Sequence, residues 1–67
     1  MRLARALGIN VRRYRKERGL SQEALADEVA LAVTYVGQIE RGLRNPTLDV
    51  VERFAKVLSV KPLDLLQ

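Results

Sequence analysis

Apolar residues recur along nearly the whole chain at intervals of three and four residues, which is helical spacing. The first such stripe predicts a helix over residues 3–18 and consists of Leu3, Leu7, Val11 and Tyr14. Gly8 lies inside this helix, where a glycine costs about 1 kcal/mol relative to alanine. Gly19 follows the stripe and supplies the left-handed residue at which helices commonly end.

The next two stripes are short and lie close together. Ser21 is a typical N-cap for a second helix over residues 22–29, whose apolar side consists of Leu25, Ala26 and Val29. Residues 30–32 form a turn, and a third helix over residues 33–41 points Val36 and Ile39 inward before Gly42 ends it. Two short helices joined by a tight turn can place the second helix in the major groove of DNA.

Two more helices follow a loop that contains Pro46. Thr47 caps a fourth helix over residues 48–58, with Leu48, Val51, Ala55 and Leu58 on one side. Pro62 suits the first position of a short fifth helix, which contains Leu63, Leu65 and Leu66. Since no segment requires a strand, we expect one all-α domain over residues 1–67.

Charge is distributed unevenly along the chain. Residues 1–18 carry seven basic side chains and one acidic, residues 19–40 carry four acidic and no basic, and residues 41–67 carry five basic and three acidic. A positive field for a polyanion would therefore come from the first helix and from around Arg41 and Arg44. A merely solvated basic face is the alternative interpretation of the N-terminal charges.

The composition excludes several classes of protein. The chain has neither Cys nor His, which excludes disulfides, Cys or His metal sites and the commonest acid–base residue, and fits a reducing cytoplasm. It has no Gly-rich phosphate loop, and no apolar run approaches the roughly 20 residues of a membrane span. We therefore expect no enzymatic activity, no cofactor, no metal and no membrane insertion.

Several short motifs occur together in this chain. They are Leu-Ser-Gln-Glu at 20–23, Leu-Ala at 25–26, Tyr35, Ile-Glu-Arg-Gly at 39–42 and Arg-Asn-Pro-Thr-Leu at 44–48. This combination resembles the Cro/CI-type helix-turn-helix family, which includes phage repressors and restriction–modification controller proteins. The resemblance implies a compact five-helix, lambda-repressor-like domain. It also implies a homodimer on a palindromic operator, with the third helix in the major groove of double-stranded DNA.

The resemblance assigns roles to individual residues. Val33, Thr34 and Gln38 match the base-facing positions of the third helix, where Gln38 can pair with adenine and Val33 can touch a thymine methyl. Gln22 matches a residue that meets a phosphate and braces the third helix. The positions after the third helix that grip the DNA backbone correspond to Arg41, Arg44 and Asn45, although Arg44 can also enter a groove and read bases. Arg15 and Glu40 match a structural ion pair.

Three positions depart from the family pattern. Ala30 replaces a glycine in the turn, Ala32 replaces a Ser or Thr cap, and Gly37 replaces a polar residue. A left-handed Ala30 costs about 1–2 kcal/mol, and Ala32 and Gly37 cost about 1 kcal/mol each. The changes also remove polar groups from the DNA-facing side. Three interpretations remain open: contacts to a T-rich site, readout of DNA shape, or loss of DNA binding in favour of protein interaction.

The leading functional hypothesis is a sequence-specific transcriptional regulator, a repressor or controller protein associated with the nucleoid. The alternative is an antitoxin or protein-interaction adaptor with the same fold. Leu63, Leu65 and Leu66 crowd the C-terminus. Part of this set can face the core, and the rest would form an apolar surface for a two-fold contact between protomers.

Overall fold

The computed structural model describes residues 2–67, and five α-helices account for most of them. They are α1 (Arg2–Glu17), α2 (Gln22–Val29), α3 (Val33–Glu40), α4 (Leu48–Leu58) and α5 (Pro62–Leu66). The described residues contain no β-strand, so the all-α prediction is confirmed. The bounds of α2 and α4 agree with the sequence prediction, and those of α1 and α3 differ from it by one residue.

Local signals in the sequence determine where these helices begin and end. The Ser21 hydroxyl accepts a hydrogen bond from the Ala24 N–H at 3.0 Å, and the Thr47 hydroxyl accepts one from the Val50 N–H at 3.2 Å. Both residues therefore satisfy a donor that the first turn of a helix leaves free. Gly19 has a φ of 69° and ends α1 as expected.

The core draws side chains from all five helices. Its buried members are Leu7, Val11, Leu25, Ala26, Val29, Val36, Ile39, Val51, Phe54, Ala55, Leu58 and Leu65. α1 packs against α3, α4 and α5, and α2 packs against α3 and α4. Phe54 is fully buried although it is absent from the predicted apolar side of α4. It lies one turn from Val51, so helical spacing could have identified it.

Three leucines lie elsewhere than the sequence predicts. Leu3 and Leu48 are 55% and 77% exposed, because each belongs to the first turn of its helix and extends past the core. Leu65 is 0% exposed, so its side chain is unavailable to a second chain and its assignment to a dimer interface is wrong. Asn10 anchors this end of the chain by donating hydrogen bonds of 3.0 Å to the carbonyl oxygens of Leu65 and Gln67.

Gly8 allows α1 to cross the C-terminal end of α3 at close range. A Cβ added at Gly8 would lie 2.8 Å from the carbonyl oxygen of Glu40 and would contact that of Ile39 more closely still. The price of a glycine within α1 is thus offset by an approach of two backbones that a side chain would prevent. This crossing sets the position of α3 on the domain.

Candidate nucleic-acid interface

The turn between α2 and α3 keeps left-handed geometry without a glycine. Ala30 has φ 59° and ψ 46°, which is the left-handed region. The Leu31 N–H donates to the Ala26 carbonyl at 3.0 Å, and the Ala30 N–H donates to the Asp27 carbonyl at 3.3 Å. These bonds close the end of α2 and turn the chain into α3, at a cost of about 1–2 kcal/mol for a left-handed alanine.

The N-terminal end of α3 is exposed and has no side-chain cap. Ala32 occupies the N-cap position in an extended conformation and makes no side-chain hydrogen bond there. Val33 and Thr34 begin the helix, and both are exposed. The first N–H groups of α3 therefore have no side-chain acceptor at the cap position, and the partial positive charge of this helix end lies among exposed residues.

The two sides of α3 differ sharply in burial. Val36 and Ile39 are 0% exposed and fix the helix to the core. Thr34 is exposed and Gln38 is half-buried, and these two residues are neighbours on one side of the helix because they are four positions apart. The structure thus brings Val33, Thr34 and Gln38 to the side of α3 away from the core.

A buried ion pair holds the C-terminal end of α3. Arg15 Nε donates to Glu40 Oε2 at 2.6 Å, and Arg15 Nη2 donates to Glu40 Oε1 at 3.0 Å. The two side chains are only 10% and 3% exposed. Arg15 Nη1 also donates to the Leu20 carbonyl oxygen at 2.9 Å. Through Arg15, this bidentate pair links three parts of the chain: α1, the end of α3 and the short segment that precedes α2. A structural role of this kind is what the resemblance implies for the pair.

Gln22 joins the same network from the first turn of α2. Its Nε2 donates to Glu40 Oε1 at 3.0 Å, so the side chain bridges the two helices. The carboxylate of Glu40 therefore accepts hydrogen bonds from both Arg15 and Gln22. Because a side-chain amide carries two N–H hydrogens, Gln22 retains a second donor for an acceptor outside the protein.

Gly37 lies beneath two of the predicted backbone-binding side chains. A Cβ at this position would lie 3.7 Å from Gln22 Oε1 and 3.9 Å from Arg41 Nη1. Gln22 and Arg41 are therefore brought together on one side of α3, across a residue that has no side chain of its own. A glycine in place of the polar residue that the family pattern has at position 37 leaves this space to the side chains of Gln22 and Arg41.

The loop after α3 folds back along the helix. Gly42 has a φ of 72°, its N–H donates to the Ile39 carbonyl at 3.0 Å, and the Leu43 N–H donates to the Gln38 carbonyl at 2.9 Å. Arg44 and Asn45 follow and are both exposed. The Arg44 guanidinium lies over the ring of Tyr35, 5.3 Å from its centroid.

Comparison with known proteins places this geometry in a family. A family model described as helix-turn-helix matches residues 11–65, which include α2, the turn and α3. The chain belongs to the helix-turn-helix family. This confirms the fold and the family that the sequence motifs indicate.

Restriction–modification proteins are among the relatives of this helix-turn-helix chain. It is 48% identical over 60 residues to the control protein C.BamHI of Bacillus amyloliquefaciens, covering 88% of this chain and 74% of that protein. The crystal structure of the restriction-modification controller protein C.AhdI from Aeromonas hydrophila superposes with a TM-score of 0.87 at 39% identity. That match covers 92% of this chain and 94% of C.AhdI.

A solved complex with DNA is also similar to this helix-turn-helix chain. The crystal structure of SinR, described as the master regulator for biofilm formation, in complex with DNA gives a TM-score of 0.86 at 37% identity. The match covers 91% of this chain and 98% of that SinR chain.

Two arginines have a structural role that the sequence analysis missed. Arg53 Nη1 donates to the Val29 carbonyl at the end of α2 at 3.0 Å, and Arg18 Nη1 donates to the Leu58 carbonyl at the end of α4 at 3.4 Å. Both therefore satisfy carbonyl groups that a helix end leaves free and complement its negative dipole. Their partners lie 24 and 40 residues away in sequence, so no local signal could identify them.

Over residues 2–67, no helix is long and apolar enough to cross a membrane. Within the same part of the chain, no group of three or more acidic side chains is arranged to hold a metal ion.

Proposed function

We propose that this helix-turn-helix protein is a transcriptional regulator that binds a palindromic operator in double-stranded DNA as a homodimer. The observation that carries this proposal is the outer side of α3, which is uncharged, presents exposed Val33 and Thr34 beside half-buried Gln38, and is flanked by Gln22, Arg41 and Arg44. Such a surface combines base-reading groups with phosphate-binding groups. The similarity to SinR bound to DNA and to two controller proteins supports it.

In this proposal α3 lies in the major groove and reads bases with three side chains. Gln38 pairs with an adenine, Thr34 bonds a base edge or touches a thymine methyl, and Val33 makes an apolar contact with such a methyl. The free amide donor of Gln22 and the guanidinium of Arg41 bind phosphates on the side of Gly37. Asn45 holds the backbone beyond the end of α3.

The proposed dimer contact uses apolar side chains that the monomer leaves exposed. Leu63 is 68% exposed, and Leu66 is partly buried one turn later on α5. Leu66 also lines a small apolar hollow together with Leu3, Pro46 and Leu48. A two-fold contact here would cover these side chains and present two copies of α3 to half-sites about 34 Å apart.

Sedimentation velocity over micromolar concentrations tests the dimer. The variant Leu63→Glu should shift the protein to a monomer without unfolding it, because this side chain already faces solvent. Ile9→Glu is the matched control, since Ile9 is 57% exposed on α1, and it should leave the assembly unchanged. A monomeric wild type at tens of micromolar with operator DNA present contradicts the dimer.

In vitro selection from random duplexes, followed by titration at several salt concentrations, tests DNA binding. Gln38→Ala should reduce discrimination at one base pair by roughly 10- to 100-fold. Arg41→Ala should weaken binding to all duplexes and lower the salt slope by about one. Lys56→Ala, an exposed basic residue of α4, is the control and should change neither.

The proposed function fails if selection enriches no duplex. It also fails if Gln38→Ala and Arg41→Ala both leave the affinity and the salt slope unchanged. As a DNA-binding regulator, the protein would act in the cytoplasm on nucleoid DNA, in accord with the absence of Cys.

A further inference from the structure

Tyr35 and Arg44 form a cation–π pair on the flank of α3. The distance of 5.3 Å between the guanidinium carbon and the ring centroid lies within the range of cation–π attraction. Tyr35 is partly buried and packs against the hydrophobic core, so its ring is held in place. Arg44 is exposed and belongs to a loop. The fixed ring therefore provides a platform for an otherwise free side chain.

The Arg44 side chain reaches back from the loop to a residue of α3. The hydrogen bond from the Leu43 N–H to the Gln38 carbonyl turns the loop against the last turn of the helix. From there the Arg44 side chain reaches Tyr35, the third residue of α3. Tyr35 follows Thr34 in the N-terminal half of α3, which is the half of a recognition helix that contacts base edges.

We propose that Tyr35 is a positioning residue that holds Arg44 for a bidentate contact with guanine O6 and N7 in the major groove. A guanidinium held over an aromatic ring can keep the N–H groups at its edge free for hydrogen bonds. That planar edge matches the two acceptors of guanine, whereas a phosphate contact requires only the charge. The inference rests on the proposed function and adds a base contact to those of Val33, Thr34 and Gln38.

The test measures binding to the selected duplex and to duplexes in which each base pair is replaced in turn. Arg44→Lys keeps the charge but lacks the planar fork, so it should retain the salt slope and lose roughly 10- to 100-fold discrimination at a single G·C pair. Tyr35→Leu removes the ring and should lose discrimination at that same base pair. Tyr35→Phe keeps the ring and should retain the discrimination of the wild type. The double variant Tyr35→Leu/Arg44→Lys should lose no more than Arg44→Lys alone.

Arg13 and Tyr14 provide the matched control. The Arg13 guanidinium also lies over a tyrosine ring, 4.6 Å from its centroid, but on α1. Arg13→Lys therefore repeats the same chemical change away from α3 and should leave the discrimination profile unchanged.

Three results would overturn the inference. The first is a uniform loss of affinity for all duplexes with Arg44→Lys, which would show a phosphate contact. The second is an unchanged profile with Tyr35→Leu, which would show that the ring does not position Arg44. The third is an equal effect of Arg13→Lys. Failure of the proposed function is distinguishable, because the wild-type protein would then prefer no duplex.

Discussion

Gly8 and Gly37 both lie inside helices, and the structure predicts opposite effects for the same substitution at these positions. Helix propensity alone favours alanine at each site by about 1 kcal/mol. Gly8 faces the backbone of α3, however, whereas Gly37 faces the flexible ends of two side chains. The space around each glycine therefore decides the sign of the change in stability.

Gly8→Ala should destabilise the domain. The added Cβ would lie 2.8 Å from the Glu40 carbonyl oxygen, and its contact with the Ile39 carbonyl oxygen would be closer still. Backbone oxygens cannot rotate away, so α1 and α3 must separate, which places the cost in the upper part of the roughly 1–3 kcal/mol typical of overpacking. After the propensity gain of about 1 kcal/mol, a net loss of about 1–2 kcal/mol remains.

Gly37→Ala should stabilise the domain by about 0.5–1 kcal/mol. Its Cβ would meet Gln22 Oε1 at 3.7 Å and Arg41 Nη1 at 3.9 Å, which are ordinary contact distances. The neighbouring groups therefore need not move. This variant is the matched control for Gly8→Ala, because both add one methyl group to a glycine within a helix.

Urea and thermal unfolding followed by far-ultraviolet circular dichroism measure both effects. In a domain of this size 1 kcal/mol corresponds to roughly 4–8 °C in Tm, so the two variants should lie on opposite sides of the wild type. A Gly8→Ala protein as stable as the wild type would refute the reasoning about the α1–α3 crossing. A less stable Gly37→Ala protein would refute the account of the space above α3.

Three further substitutions test other parts of the structure by the same unfolding measurement. Ala30→Gly should raise stability by about 1 kcal/mol, because glycine adopts φ 59° without strain, and an unchanged Tm would contradict this. Asn10→Ala should cost about 1–3 kcal/mol by leaving two C-terminal carbonyl groups without their buried donor; a loss below about 0.5 kcal/mol, the lower end of the net value of one hydrogen bond, would show that the anchor is unimportant. Glu40→Ala should cost about 3–5 kcal/mol because it leaves Arg15 charged and buried, whereas Arg15→Met/Glu40→Leu should cost much less; equal losses would contradict this.

The bounds of α2 and α4 could be predicted because their signals are local. Ser21 caps α2 and Thr47 caps α4, and the left-handed residue Gly19 ends α1. Each signal acts on backbone groups within a few residues of itself, so tertiary packing has little room to change the outcome.

The positions of individual leucines could not be predicted in the same way. Leu48 and Leu58 both fit the apolar side of α4, yet the first is 77% exposed and the second 2%. On α5, Leu65 is fully buried while Leu63 faces solvent. Periodicity gives the direction of a side chain around its helix, but the length of the core along that helix depends on the neighbouring helices.

At the candidate site the motifs predicted individual residues but not how their side chains combine. The link between Gln22 and Glu40, the shared space above Gly37 and the stack of Arg44 on Tyr35 each join residues from different elements or separate turns. Only folding brings such groups together.

The sequence by itself determined an all-α chain, helix ends to within about one residue, and a helix-turn-helix motif whose predicted DNA-facing positions are uncharged. Periodicity, capping and charge order are properties of neighbouring residues, which explains why they can be read without a structure. The tertiary structure decided what Gly8 and Gly37 do, because their roles depend on the atoms that face them. It also decided where Arg44 lies, because its partner Tyr35 belongs to a helix that the loop reaches only by folding back.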